Sequence, residues 1–170
     1  EQGSDPADTR YINGSIDQET FGMSIRFNYT IKPNLTLQYW GQPFIAKAQY
    51  NEFKYITDSR AKNYQDRFVA YSSDQIHYES GDGQYHIDED LDGTNDYSFG
   101  NPDFNFIQFR SNLVARWEYI PGSELFLVWS QGLANSGDPS DNLFPSLVDN
   151  VFDSKADNIF LMKLTYRFIK

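Results

Sequence analysis

The chain has 170 residues, with 24 acidic against 14 basic side chains, a net charge of −10, and no cysteine. That balance excludes a nucleic-acid binder working through a basic patch. It also excludes disulfides, thiolate metal sites and a cysteine nucleophile. Aromatics reach 17% while mean hydropathy is −0.63, and no run approaches the ~18 apolar residues of a membrane helix. Alternating apolar and polar positions joined by long polar loops would give both figures at once.

In chain order, residues 1–17 are polar and rich in turn formers and read as loop. Glu1-Gln2-Gly3-Ser4 reads as the start of a mature or truncated chain. Residues 20–31 alternate strictly. Phe21, Met23, Ile25, Phe27, Tyr29 and Ile31 fall on one face and Thr20, Gly22, Ser24, Arg26, Asn28 and Thr30 on the other, the period of a strand. Lys32-Pro33-Asn34 is a short turn. The second strand follows, with Leu35, Leu37 and Tyr39 against Thr36, Gln38 and Trp40. Gly41-Gln42-Pro43 predicts a bulge in it. Beyond the bulge Phe44, Ala46, Ala48 and Tyr50 are expected to share a side.

Residues 51–103 read as a long polar insertion, a length that usually carries function. Residues 105–119 alternate again. Ile107, Phe109, Leu113, Ala115, Trp117 and Tyr119 face one way, and Gln108, Arg110, Asn112, Arg116 and Glu118 the other. Ile120-Pro121-Gly122-Ser123 is a tight turn. Residues 124–133 form a fourth strand, apolar on both faces in its middle. Residues 134–157 read as a second long loop. The fifth strand, 158–170, sets Phe160, Met162, Leu164, Tyr166 and Phe168 against Ile159, Leu161, Lys163, Thr165 and Arg167.

Five strands joined by short, long, short and long connections match the rhythm of outer-membrane barrels, which have short periplasmic turns and long external loops. The ending aromatic-x-aromatic matches the terminal strand that barrel-insertion machinery recognises, so Leu164, Tyr166 and Phe168 are read as an insertion signal. Charge is sorted in the same way. Residues 51–103 carry −8, residues 1–17 carry −3 and residues 134–157 carry −4, which leaves +5 on the strands and turns. The fold class expected is all-β. It is an antiparallel transmembrane β-barrel, of which residues 1–170 are one C-terminal segment of about five strands. Small closed barrels need about eight strands, so the missing neighbours are expected from an N-terminal remainder of the same barrel or from other chains.

Residues 101–112 (N-P-D-F-N-F-I-Q-F-R-S-N) run on into L-V-A-R-W-E-Y-I-P-G-S at 113–123. With Gly41-Gln42-Pro43-Phe44, Tyr64-Gln65-Asp66-Arg67-Phe68 and Leu125-Phe126-Leu127-Val128-Trp129-Ser130-Gln131, this stretch resembles a Bacteroidetes-type outer-membrane family of unknown function, domain of unknown function 5916. The resemblance implies a C-terminal barrel preceded by a family-nine-like carbohydrate-binding sandwich. It implies no activity, and it assigns glycan binding to no residue of this chain.

Asp88-Glu89-Asp90-Leu91-Asp92-Gly93-Thr94-Asn95-Asp96 contains D-x-D-x-D-G, the first half of an EF-hand-type calcium loop. Hard Ca²⁺ takes six to eight oxygens, so Asp88, Asp90, Asp92, Thr94 and Asp96 form a candidate Ca²⁺ site. Phe99 stands where the bidentate Glu would be. The competing reading is a solvated acidic loop. His77 and His86 lie in the same insertion, and as loop histidines they read as bystanders rather than catalysts. Arg26, Arg110, Arg116, Glu118, Lys163 and Arg167 sit on the more polar strand faces and are expected to face a lumen. There the cations either attract anions or pair with Glu118 and loop carboxylates. Phe27, Leu37, Phe109, Leu113 and Leu164 are expected to face lipid. Trp117, Tyr119, Tyr166 and Phe168 suit an interfacial aromatic girdle or packing against a partner.

The function expected is therefore a non-enzymatic outer-membrane β-barrel component, a channel or surface scaffold, touching outer-membrane lipid and the insertion machinery. The alternatives are a surface hydrolase acting through the long external loop and a soluble β-sandwich that binds glycan through its aromatics.

Overall fold

The computed structural model describes residues 9–168. Residues 1–8 of the expected leading loop and residues 169–170 of the expected last strand lie outside them. In chain order the elements are β1 (Ile12–Gly22), β2 (Ile25–Lys32), β3 (Leu35–Ile56), β4 (Phe68–Ala70), β5 (Ile76–Glu79), β6 (Gln84–Ile87), β7 (Tyr97–Gly100), β8 (Phe104–Ile120), β9 (Ser123–Ser136), α1 (Leu143–Asp153) and β10 (Asp157–Thr165). The fold is all-β with antiparallel pairing and, among the described residues, one α-helix. The main sheet runs β1-β3-β8-β9-β10, with β2 also on β3, and its order does not close into a barrel among the described residues. No helix among them is long and apolar enough to cross a membrane.

Two compact units divide the chain. One holds Gln18–Lys47 and the residues from Phe104 on, and the other holds Ala48–Asp103 and the residues up to Asp17.

The first unit is a meander of the five expected strands. Strand β2 pairs with β3 across the two-residue turn at Pro33 and Asn34, with Phe27 opposite Tyr39 and Tyr29 opposite Leu37. Strand β8 pairs with β9 across the Pro121–Gly122 turn, where Gly122 takes φ +82°, a value that favours glycine. Strand β10 pairs with β9 without a register shift. The bulge expected at residues 41–43 is not in β3, which runs unbroken. The irregularity is on the partner side, where Met23 and Ser24 separate β1 from β2. Pro43 has no N–H to donate across the ladder. Its carbonyl still accepts from the Met23 N–H at 3.2 Å, and the Trp40 indole donates to Ser24 Oγ at 3.1 Å.

Residues 134–157 are not a plain loop, because they contain α1. Leu143, Leu147 and Val151 recur every four residues, the spacing that aligns one helix face. Asn142 precedes the first turn with an extended backbone, and its carbonyl accepts the Ser146 N–H at 3.0 Å. Pro145 falls in the first turn, where its missing N–H has no helical partner to lose. The core of this unit sits beneath the helix: Ile45, Ile107 and Leu147 are buried together, with Phe21, Leu143 and Val151 packed against them.

The second unit replaces the expected leading loop and the expected structureless insertion. Strand β1 begins at Ile12 and β3 extends to Ile56, where β4 pairs with it. Strands β5, β6 and β7 form a separate antiparallel sheet. Phe53 packs against Tyr85 and Phe99 with ring centroids 4.8 and 5.1 Å away, and Ile87 is fully buried. Short apolar pairs such as Tyr85 and Ile87 suffice here, because the strands are only four residues long.

Candidate functional site

In the meander, directly opposed residues share a face, and the register of β8, β9 and β10 defines both faces. One carries Leu113, Ala115 and Trp117 of β8, opposite Trp129, Leu127 and Leu125 of β9, which lie opposite Phe160, Met162 and Leu164 of β10. This assigns the fourth strand, whose faces the sequence left open. Its members are half-buried or exposed; Phe160 is 75% exposed and Met162 71%. Phe109 lies on the same face nearer the helix, opposite Leu133. Phe27 and Leu37 share a face of the β2–β3 pair.

The other face is mixed: it carries Arg110, Asn112, Arg116 and Glu118 of β8, with Ser130 and Glu124 of β9 and Lys163 of β10, and among them Val114, Phe126, Val128, Ile159 and Leu161. Arg26 lies on the polar face of β2 with Asn28 and Thr30. Glu118 and Glu124 are directly opposed, a repulsive arrangement that two contacts relieve. The Arg116 guanidinium pairs with Glu124, its Nε donating to Oε1 at 3.0 Å. Glu118 accepts the Gly122 N–H at 2.8 Å. The expected pairing of the arginines with Glu118 is thus replaced, for Arg116, by Glu124. Lys163 Nζ lies 5.7 Å from the Phe126 ring centre.

Strand β10 ends at Thr165, short of the expected length. Leu164 is on the strand, while Tyr166 and Phe168 lie beyond it with their rings in a T-shaped pair 4.8 Å apart. Arg167 also leaves the strand, its N–H donating to Ser123 Oγ at 3.0 Å. The Thr165 hydroxyl ties to the Glu124 backbone, so the segment bends over the turn instead of continuing the ladder. Trp117 and Tyr119 pair at the same end, 6.0 Å apart, and Tyr119 donates to the Thr165 carbonyl at 3.2 Å.

In the second unit, Asp88, Asp90 and Asp96 present carboxylate oxygens all within 4.8 Å of one another. The loop is shaped by its own acids. Asp88 accepts N–H bonds from Asp92 and Gly93 at 3.1 and 2.9 Å, and Asp96 accepts from Glu89 at 2.7 Å. Gly93 takes φ +90°, the turn residue that the motif requires. Asp92 does not join the group; its Oδ1 accepts the Thr94 N–H at 2.7 Å. Phe99, at the place of the bidentate Glu, stacks on Tyr85 at 5.3 Å. Three hard carboxylates suit Ca²⁺ better than a softer ion.

Glu89, between those acids, points away from them into a network that the sequence did not single out. Arg10 grips it, and the Tyr97 hydroxyl donates to it at 2.7 Å. Tyr71 and Tyr97 share a hydrogen bond of 2.9 Å. Burial, and then these bonds, hold the Tyr97 phenol far above the ordinary tyrosine value. No local motif marks this network, because its members are scattered from residue 10 to residue 97. His77 and His86 stack across β5 and β6 with centroids 5.6 Å apart, and His86 Nε2 lies 2.8 Å from Asp82. A cavity of about 350 Å³, lined in part by Arg10, Gly14, Tyr50, Phe53 and Phe99, lies in this unit.

No curated protein and no solved structure matches the chain. A family model described as Domain of unknown function (DUF5916) matches residues 3–169. With nearly the whole length matched, the chain belongs to the DUF5916 family.

Proposed function

We propose that the five-stranded meander is part of an outer-membrane β-barrel, a channel or surface scaffold, with no chemistry in this chain. The observation that carries this reading is the division of faces on β8, β9 and β10. Nine side chains, from Leu113 to Leu164, make one uninterrupted apolar face with large exposed members, while Arg110, Arg116, Glu118, Glu124 and Lys163 share the other, mixed face with Val114, Phe126, Val128, Ile159 and Leu161. A sheet in water hides its apolar face against a second layer; a barrel turns that face to lipid and the charged one to a lumen. The turns at residues 33–34 and 121–122 mark the periplasmic end. Among the described residues, β10 has no neighbour beyond β9, and β1 and β2 have none beyond β3. An open edge in a bilayer costs several kcal/mol per unpaired group, so further strands of the same polypeptide or of other chains pair there.

The test is membrane association and sidedness. The protein should stay with the outer-membrane fraction through alkaline carbonate and leave it only in detergent. Protease added outside intact cells should cut within residues 88–96. Release by carbonate would instead favour a soluble sandwich. The surface-hydrolase alternative draws on one observation, the His86–Asp82 contact; replacing His77 and His86 while following surface hydrolysis separates it. As part of the external loop, we propose Ca²⁺ at Asp88, Asp90 and Asp96, with Asp92 and Thr94 moving in as further ligands.

A further inference from the structure

Helix α1 lies on the apolar face of the sheet. Ile107, packed on Leu147 of the helix, is an even number of residues from Leu113 along an unshifted register, so both project the same way. Asn105, also of that parity, donates to Ser146 Oγ at 3.0 Å. Asn135, opposite Ile107, donates to Asn150 and Ser154 at 2.7 and 3.0 Å. Hydrophobic packing and two separate polar contacts therefore put the helix on the same side as Leu113, Trp129 and Phe160.

The helix has more apolar surface than the sheet covers. At about 100° per residue, Leu143, Leu147 and Val151 point to the sheet, and Phe144, Val148 and Phe152 follow as the adjacent stripe. That second stripe is exposed: Phe144 57%, Val148 50% and Phe152 81%. Asp149 and Asp153 stand on the remaining arc with Asn150 and Ser146. Phe144 meets Phe21 edge-on with ring centroids 5.0 Å apart, but a helix needing only to roof the Ile45–Ile107 core would carry polar groups at 148 and 152.

We propose that α1 is an interfacial helix, its Phe144/Val148/Phe152 stripe seated among acyl chains of the outer leaflet. This deepens the barrel reading and rests on it. Lipid is the occupant because the stripe continues the belt that Leu113, Trp129 and Phe160 present on the same sheet face. The height also agrees. From Phe109 to Tyr119 the strand spans roughly 33 Å at ~3.3 Å per residue, which a tilt of about 45° reduces to roughly the ~25 Å apolar band of such barrels. The helix then lies at the band's outer rim, where amphipathic helices bury one face in the headgroup–acyl boundary.

The chain has no cysteine, so single nitroxide labels can be placed cleanly. Labels at Phe144→Cys, Val148→Cys and Phe152→Cys are compared with Asp149→Cys and Leu164→Cys in the protein held in its native membranes. Relaxation by oxygen, which concentrates in lipid, is measured against relaxation by a water-soluble nickel chelate. The expected result is oxygen dominance at the three stripe positions and at Leu164→Cys, with chelate dominance at Asp149→Cys. Three stripe sites keep the result independent of any one variant that folds poorly. Chelate dominance along the stripe, with oxygen dominance kept at Leu164→Cys, overturns the helix proposal and leaves the barrel standing. Shielding of the stripe from both agents means protein covers it, and also overturns the proposal. Chelate dominance at Leu164→Cys as well overturns both readings.

Discussion

Arg10 holds Glu89 through two hydrogen bonds, each 3.1 Å long, across 79 residues of sequence. The guanidinium also lies 5.7 Å from the Tyr55 ring centre, so one side chain joins the start of β1 to the acidic loop. Two parallel bonds to a carboxylate fix geometry as well as charge. Arg10→Ala should cost about 1 kcal/mol, the upper range for a partly exposed pair. It should also speed proteolysis near residue 89. Arg10→Lys keeps the charge but loses the fork, and should recover less than half of the protection. Identical cleavage rates in all three proteins would remove the clamp.

The Tyr97 phenol gives this network a pH dependence. Its proton is held far above the ordinary value of 10.0, first by burial and then by its bonds with Tyr71 and Glu89. A folded-state pKa raised above the unfolded one contributes stability that is complete below about pH 10 and is lost as pH rises further. The second unit should therefore loosen as pH climbs past 10. Tyr97→Phe should be less stable at pH 7, having lost two hydrogen bonds, yet should show a shallower decline above pH 10. Parallel decline curves for the two proteins, followed by hydrogen exchange or near-ultraviolet spectroscopy, would count against this account.

Calcium should order the loop at residues 88–96. Without it, the carboxylates of Asp88, Asp90 and Asp96 repel one another at close range. Chelation should hasten cleavage of the loop, and Asp90→Asn should weaken Ca²⁺ binding about tenfold or more for the lost ligand charge. Calorimetry showing no heat of binding at millimolar Ca²⁺ would reduce the motif to a solvated acidic turn.

Neighbouring residues of β8 offer a sharp contrast of faces. Leu113 is on the apolar face, and Asn112 is on the charged one, where it accepts a hydrogen bond from the Ser130 hydroxyl at 2.6 Å. An arginine on the lipid face near mid-bilayer costs roughly 2–4 kcal/mol. Leu113→Arg should strongly reduce membrane-inserted protein, while Asn112→Arg should leave most of it inserted. Equal loss in the two variants would sink the lipid assignment.

The strands were legible where a period of two ran for many residues. Residues 20–31, 35–40, 105–119 and 158–170 carry that pattern, which marks four of the five strands, though the last ends at Thr165. The middle of β9 was not legible, because Leu125, Phe126, Leu127 and Val128 are apolar on both sides and only the register against Trp117 and Arg116 separates them. Helix α1 was hidden by the turn formers on either side of it, although Leu143, Leu147 and Val151 signalled it locally. The small strands β5 to β7 are too short for periodicity to register. The acidic loop was visible as a motif. The Arg10–Glu89–Tyr97 network was not, since long-range pairing leaves no trace in local spacing.

The Tyr50 N–H donates to the Asp103 carboxylate at 2.7 Å, across 53 residues. Tyr50 lies within β3 and Asp103 immediately precedes β8, so the bond ties the last residue of the excursion back to the strand it left. Among the described residues of the main sheet, the β3–β8 pairing joins strands far apart in sequence. Its loop-closure entropy grows only slowly with length, about 0.6 kcal/mol per doubling. An excursion that forms its own sheet and ties its far end back onto β3 spares the later pairing much of that search. The order of folding follows. The β8–β9 and β2–β3 hairpins, made of local contacts, should form first, and their union should wait on the excursion. A variant without that bond, Asp103→Ala, should fold more slowly while unfolding at nearly the wild-type rate.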